Sequence, residues 1–333
     1  MFDPIDNLGI TKKVEEVFES PNFLLTNEDY ENFRQKTDKF FFTSFYNYGK
    51  KINDIIPDIK SKDKENRQRM PKDIKIPDLI NHTKDEEKYI EEAIKYVEKK
   101  FPKNYGNTEN FWCPISHKGA MKWFKDFLFH SGLSCAINIG LLNPKEIFEI
   151  IKPLTNKFPI NSFEGYARQL YWREYQRYCF KYCPFDTNYF GNTNKLTKKW
   201  YTGKLGIPPV DDAINVAFDK GYLHHIYRLM VIGNFMSLSE IEPREGFRWF
   251  MEFSVDSYEW VMYQNVLDMV FFVTGGKTMR KPYISSSNYI LKMSDYKKGE
   301  WSEKWNEMYQ NFMKNHKDEL WKFRYSFPGL KKL

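Results

Sequence analysis

Cysteine is scarce in this chain, and its four copies, Cys113, Cys135, Cys179 and Cys183, form no Cys-x-x-Cys pair. That spacing removes the ordinary zinc and iron–sulfur signatures and leaves buried free thiols in a reducing compartment as the reading. Long apolar runs are missing too. No stretch of about eighteen apolar residues occurs, and the opening MFDPIDNLGITKK lacks the basic-then-apolar layout of a secretory signal. The chain therefore reads as soluble and intracellular, cytoplasmic or nuclear, with no membrane partner. A polybasic tail is absent as well: 51 Lys and Arg are interleaved with 44 Asp and Glu, and the net charge of +7 favours an anionic partner without naming one. Repeats and low-complexity tracts do not occur.

What the chain has in surplus is aromatic rings, 22 Tyr, 29 Phe and 9 Trp among 333 residues. Many fill core, and such a surplus also suits a flat cofactor or unstacked bases. The hydrophobic content of 41% is enough to bury a sizeable core in one large domain or two ordinary ones. Apolar residues recur mostly with helical period, broken at Pro21, Pro57, Pro71 and Pro77. Glu28 to Tyr48 and Asp85 to Lys100 read as amphipathic helices, and Ser61 to Lys72 as a solvated linker. Asn161 to Arg177 reads as a helix running from a Ser162 cap through Tyr178, with Glu164 and Arg168 at four-residue spacing and Arg173-Glu174 as a surface pair. The Gly- and Pro-rich stretch Asn194 to Ala213 should enter the next helix through Asp211 or Asp212 as cap. Gly275-Gly276 marks a turn, and two helical pieces close the chain after Tyr289. The expectation is an all-α chain, residues 1–100 a loosely attached helical portion and linker and residues 101–333 one helical domain.

The stretch Gly221 to Asp268 carries the densest chemistry. Two helical segments meet there, broken near Glu242-Pro243, because Pro is disfavoured inside a helix and welcome at its start. His224 and Arg228 are four apart and share a face, with His225 beside them. Trp249, Phe253, Asp256 and Trp260 follow at steps of four, three and four, which predicts one helical stripe. An acid in an aromatic stripe needs a positive partner, since an unpaired buried carboxylate is costly, and Arg228 is the nearest candidate. Spacing alone favours a structural ion pair among core rings.

The words in this stretch change that balance. His224-His225-Ile226-Tyr227-Arg228-Leu229-Met230, then Trp249-Phe250 and Asp256-x-Tyr258-x-Trp260-Val261, resemble the flavin-cradling helices of the cryptochrome/photolyase family, most closely the bacterial (6-4) photolyase subgroup. The likeness continues through KPYISS at 281–286 and KMSDY at 292–296, and the DKENR segment at 63–67 resembles the subgroup's linker. His130-Ser131-Gly132-Leu133-Ser134 with Asn138-Ile139-Gly140-Leu141-Leu142 resembles the words that wrap the flavin diphosphate, where hydroxyls and helix-start N–H groups are suitable anion ligands. EGYARQLYWREY at 164–175 resembles the family's helix facing the damaged base.

The resemblance implies a helical FAD-binding catalytic domain and light-driven repair of UV-damaged DNA, with (6-4) photoproducts preferred because Gln169 stands where cyclobutane-dimer enzymes have Glu. It implies His225 as proton donor, with His224 as a weaker candidate, and Gln169 and Trp172 against the lesion. Trp249 and Trp260 would relay electrons. Ser131, Leu133, Ser134, Asn138, Arg173, Arg228, Asp256, Tyr258, Met262 and Asn265 would line FAD, and Arg168, Arg280 and Lys281 would meet DNA. Four departures stand out. The family's N-terminal α/β antenna domain has no room before Val17, so no antenna chromophore is expected in this chain; the catalytic flavin alone would absorb light, and a separate chain carrying that domain is a candidate partner. Phe127 runs directly into Leu128, where relatives have an extra helical stretch. Lys297, Glu300 and Pro209 occupy cluster-ligand positions, so no iron–sulfur cluster is expected and no metal site is named. Met262 stands where a residue facing flavin N5 is normally Asn or Glu, and Met neither donates nor accepts that proton. A cryptochrome-like photosensor, and a remnant that binds nucleic acid only, are the alternatives.

Overall fold

The computed structural model describes residues 20–53, 65, 73, 82–126, 132–155, 157 and 159–332. Among these the regular structure is helical, with one isolated bridge between Asn194 and Ile241 and no strand, as an all-α chain requires. In chain order the helices are α1 (Asn27–Lys36), α2 (Phe42–Asn53), α3 (Lys84–Lys100), α4 (His117–Asp126), α5 (Ser134–Asn138), α6 (Pro144–Ile151) and α7 (Ile160–Tyr182). Then follow α8 (Lys199–Thr202), α9 (Pro208–Lys220), α10 (Asn234–Leu238), α11 (Pro243–Phe253), α12 (Glu259–Met262), α13 (Asn288–Met293), α14 (Glu300–Asn315) and α15 (Lys317–Trp321). Two wider π-helical segments, Tyr227–Gly233 and Tyr263–Asp268, lead into α10 and out of α12.

Helix α7 is the spine. One face, through Tyr175, Tyr178 and Cys179, packs into the main core with Trp249, Phe250 and Phe271, while Ala167, Leu170 and Tyr171 pack into a second core with Trp123, Ile147 and Phe148. The stretch before it is fastened to the same spine: Tyr30, Phe33 and Phe45 belong to the main core, and Leu24 and Tyr46 to the second. Two carboxylates inside α7 make the fastening directional. Glu174, wholly buried, accepts from the N–H groups of Leu24 (3.0 Å) and Leu25 (3.2 Å) and from the Tyr30 hydroxyl (2.8 Å). Glu164 accepts from the Tyr46 hydroxyl at 2.9 Å and faces Arg168 at 3.6 Å. A surface Arg173-Glu174 pair is therefore not what forms. Glu174 points inward because the chain before α1 needs acceptors for its N–H groups, and an unmet buried donor is costly.

Several boundaries move for local reasons. The amphipathic run from Glu28 to Tyr48 is two helices, since Thr37 takes an extended conformation that ends α1, while Thr26 and Asp29 cap its start reciprocally. Helix α7 starts at Ile160 rather than after a Ser162 cap, with Pro159 before it. Asp211 does not cap α9 from outside: Ile207 is its cap position, and the Asp211 carboxylate reaches back to the N–H groups of Leu205, Gly206 and Ile207. At Pro243 the expected break is found, Glu242 accepting from the N–H groups of Arg244 and Glu245. Gly275 and Gly276 both have positive φ, +65° and +110°, as their turn demands. All four cysteines are buried and free. The DKENR segment and the Phe127–Leu128 junction lie outside the described residues.

Glu174→Ala leaves two backbone donors and a phenol without an acceptor inside the core, so it should lower the free energy of unfolding by about 3 kcal/mol or more. Chemical denaturation read by tryptophan fluorescence measures this; a loss under about 1 kcal/mol would mean that the segment before α1 is not held through Glu174.

Candidate functional site

The site begins where α11 stops. Instead of one stripe through Trp249, Phe253, Asp256 and Trp260, the helix ends at Phe253, Ser254 is extended, and a new helix starts only at Glu259. Asp256 therefore lies on a loop. That loop is pinned by the Val255 N–H, which donates to the Gly221 carbonyl at 2.9 Å and so brings Asp256 beside the segment carrying His224, His225 and Arg228. Gly221 is needed for this approach, since its φ is +59° and a Cβ would lie 2.9 Å from Val255 Cγ1.

Asp256 is the hub. Its Oδ1 accepts from Arg228 Nη1 at 2.9 Å and from the Ser254 hydroxyl, its Oδ2 accepts from the Ser134 hydroxyl at 2.6 Å, and its backbone carbonyl accepts from Asn138 Nδ2 at 2.9 Å. Asn138 in turn accepts from Arg173 Nε at 3.0 Å, and Arg173 Nη1 donates to the Asn22 carbonyl. Five of the residues expected at FAD, Ser134, Asn138, Arg173, Arg228 and Asp256, are thus one hydrogen-bonded network drawn from four separate places in the chain. Burial alone would push the Asp256 carboxyl up; Arg228, with the Ser134 and Ser254 hydroxyls, outweighs it and holds the carboxyl below the usual range.

Arg228 is oriented by its own Nε, which donates to the Leu223 carbonyl at 2.6 Å, and by the Tyr222 ring 5.0 Å from its guanidinium. Its Nη2 is buried with no hydrogen-bond partner, and so is Arg173 Nη2. Two buried cationic donors short of acceptors, beside the Ser134 hydroxyl and the Asn138 amide at the two ends of α5, are suited to an anionic ligand with carbonyl oxygens. The donor set therefore fits a dinucleotide cofactor such as FAD.

The remaining expected residues are placed as follows. Leu133 is buried at the cap position of α5, Met262 is 3% exposed at the end of α12, and Asn265 stands in the second π segment. Tyr258 is 37% exposed before α12. Ser131 lies outside the described residues. His225 is exposed; burial by surrounding atoms first, then Arg228 and His224, lower its pKa to about 4. His224 is lowered for the same reasons, burial first and Arg228 second, and its Nδ1 accepts the Ile226 N–H. Gln169 is exposed on α7, whereas Trp172 is stacked on Phe42 with centroids 3.7 Å apart and planes 8° apart. Trp249 is fully buried, its N–H donating to the Trp200 carbonyl at 2.9 Å. Trp260 meets Phe23 edge-on at 5.2 Å and has the Arg173 guanidinium 4.9 Å from its ring. Arg168 pairs with Glu164, Arg280 reaches the Thr43 hydroxyl at 3.4 Å, and Lys281 is half-buried.

Four participants were not anticipated. Ser254 fixes Asp256, Tyr222 covers Arg228, and Phe23 with Asn22 receives Arg173. The serine two places before Asp256 was a readable signal once Asp256 is on a loop; the contact from residues 22–23 has no signature in spacing.

Comparison with known proteins agrees with this geometry. Residues 6–113 match the family described as deoxyribodipyrimidine photo-lyase-related protein, and residues 166–327 match the FAD binding domain of DNA photolyase. The chain is 32% identical over 295 residues to a (6-4) photolyase of Agrobacterium fabrum, covering 78% of this chain and 58% of that protein. It thus spans a little over half of that relative's length. An uncharacterized protein of Acanthamoeba polyphaga mimivirus is 52% identical over 92 residues, 27% of this chain and 75% of its own. Among solved structures, a bacterial class III photolyase from Agrobacterium tumefaciens aligns with a TM-score of 0.45 at 18% identity, covering 60% of this chain and 45% of that one. Among the described residues no helix is long and apolar enough to cross a membrane.

Asp256→Asn removes the charge that balances Arg228 and should destabilise the chain by about 3 kcal/mol at neutral pH. The Asp256 carboxyl is depressed in the folded state, so its stabilisation is complete above the unfolded carboxylate value of about 3.9 and is lost as pH falls below it. The gap between the two unfolding curves should therefore be full at pH 6 to 7 and narrow below about pH 3.9; equal stabilities at neutral pH would remove Asp256 as the hub.

Proposed function

We propose that this chain, which belongs to the cryptochrome/photolyase family, holds FAD beside the Arg228–Asp256 pair and repairs UV-damaged DNA under blue light, with the (6-4) photoproduct as preferred lesion. The observation that carries this reading is the network through Ser134, Asn138, Arg173, Arg228 and Asp256, ending in two buried guanidinium nitrogens that lack acceptors. Those five residues would hold the cofactor, with Ser131, Leu133, Tyr258, Met262 and Asn265 completing the contact set. When bound, FAD supplies light-driven single-electron transfer.

The chain's own residues supply the rest. His225 would protonate the lesion, and its exposed ring is open to a base taken out of the helix stack. With a pKa near 4 in the free chain, the imidazole is neutral at pH 7. An anionic phosphate or lesion beside Arg228 would offset the smaller of the two main causes and favour the protonated ring. His224, held by the Ile226 N–H, orients the segment. Gln169 faces solvent where a lesion edge would lie, and Arg168, Arg280 and Lys281 would meet phosphates. Of the two relay candidates Trp249 is the better placed, because the guanidinium over Trp260 opposes positive charge on that ring.

One observation favours a second reading, a flavin photosensor without repair: Phe42 covers one face of Trp172, so that face is closed to a base.

Purified chain incubated with FAD should show flavin absorption in the blue, and illumination should restore an oligonucleotide carrying one (6-4) photoproduct. The repair rate should rise as pH is lowered from about 8 towards 5, since more His225 is then protonated, and His225→Ala should lose at least about a hundredfold in rate and the pH slope with it. Absence of flavin absorption would sink the cofactor assignment, flavin binding without repair would leave the photosensor, and unimpaired repair by His225→Ala would remove the proton-donor role.

A further inference from the structure

Beside this network, and separated from it by one ring, lies a second concavity of about 480 Å³ between α9, the start of the first π segment and the loop before α14. Its volume is within the roughly 300–1,000 Å³ typical of small-molecule sites. None of Ser134, Asn138, Arg173, Arg228 and Asp256 lines it, although Gly132 and His224, neighbours of that network in the chain, do. Tyr222 is the partition: it lines the cavity while also standing 5.0 Å from the Arg228 guanidinium.

The walls are of two kinds. Five aromatic side chains, Trp112, Trp123, Tyr222, Tyr227 and Tyr296, supply most of the surface. Tyr227 remains 44% exposed although it is a large ring, and Val216 on α9 remains 48% exposed across from it. Against this apolar lining stands one fixed anion. The Asp212 carboxylate is held in the wall by the Tyr296 hydroxyl, which donates to Oδ2 at 2.5 Å, and a carboxylate that accepts one hydrogen bond retains capacity for more. Lys220 lines the cavity too, its ammonium 3.1 Å from Asp219 and its carbonyl accepting the Trp112 indole N–H at 3.1 Å, so the backbone on that side is fixed. Tyr227 opens a π-helical segment, an irregularity often found where a helix has been re-phased to present side chains to a ligand.

Flat aromatic walls select a flat ligand, and a single positioned carboxylate selects one with N–H donors on its edge. An anionic ring would be repelled by the carboxylate, and a saturated sugar offers no flat face to the rings. We infer that this cavity is a second binding site, distinct from the flavin locus, for a planar nitrogen heterocycle of purine size carrying an amino group, with its face on Tyr227 and its N–H edge on Asp212. Nothing in this inference depends on FAD being bound, because the cavity stands on residues outside that network.

Adenosine is the probe, titrated by calorimetry into the full chain as purified and again after saturation with FAD. The expected result is one binding event in both samples, weakened about tenfold or more by Tyr227→Ala, as loss of a base–aromatic stack requires, and by Asp212→Asn, and abolished by Val216→Trp, which fills the space. Flavin content should be the same in all three variants, and matching circular dichroism spectra would verify that they fold. Failure of the wild-type chain to bind adenosine, or binding indifferent to all three substitutions, would overturn the proposal. So would competition, in which saturation with FAD or Val216→Trp removes adenosine binding and flavin binding together, because the cavity would then be an arm of the dinucleotide site. A chain that binds adenosine but no flavin would support the second site while defeating the first.

Discussion

A guanidinium and a carboxylate withdrawn from water must satisfy each other almost completely, and the meeting of Arg228 with Asp256 sets the rest of this structure in order. Neither charge is tolerable alone at 12% and 9% side-chain exposure. The pair holds because the carboxylate accepts three hydrogen bonds: Ser134 comes from α5, Ser254 from the end of α11, and Arg228 from the first π segment. Each of those donors is itself anchored by its own element, so one buried charge fixes the relative position of three parts of the chain. Such a pair adds little to stability compared with apolar packing of the same volume, whereas removing one partner would leave the other charge buried and unpaired.

How far the sequence discloses this depends on which physical rule governs each element. Where helical period and capping act alone the reading holds: Asp85 to Lys100 is α3 within one residue, and Pro243 starts α11 with Glu242 as its cap. Where tertiary demands overrule local pattern it does not. The stripe through Trp249, Phe253, Asp256 and Trp260 has good helical spacing, yet the chain leaves the helix at Ser254 because Asp256 bonds Ser254 and Val255 bonds Gly221, gains larger than a few propagated helical hydrogen bonds. The pairing of Arg228 with Asp256 survives this error, since it follows from burying opposite charges and not from the secondary structure assumed. Glu174 shows the converse: its neighbour Arg173 suggests a surface pair, and only the arrival of Leu24, Leu25 and Tyr30 from 150 residues earlier explains its burial.

The two π-helical segments account for a further part that spacing could not yield. In the first, the Asn234 N–H reaches the Leu229 carbonyl, and in the second the Met269 N–H reaches the Gln264 carbonyl, one residue beyond the ordinary helical partner. Each widening rotates everything after it relative to the preceding turn, so residues that a 3.6-residue period places together are drawn apart. Gly233 permits the first: a Cβ there would come within 2.7 Å of Val270 and 2.8 Å of the Arg228 carbonyl. The two segments carry Arg228 and Asn265 and flank Met262, which puts the irregular backbone where a cofactor would need side chains out of phase with a straight helix.

Charge ties the proposed binding to the proposed chemistry. Around the network stand the guanidinium groups of Arg173, Arg177 and Arg228, two of them stacked on Phe23, against the carboxylates of Asp256 and Glu174. The balance is positive, and Arg173, Arg177 and Arg228 each keep a buried nitrogen without an acceptor. A positive field of this kind does two things at once. It would draw phosphate, and it adds to burial, the larger cause, in lowering His225 to about 4. An anion close to Arg228 would cancel part of that smaller contribution and leave the contribution of burial in place, so the same interaction that binds the anion would raise the affinity of the imidazole for a proton.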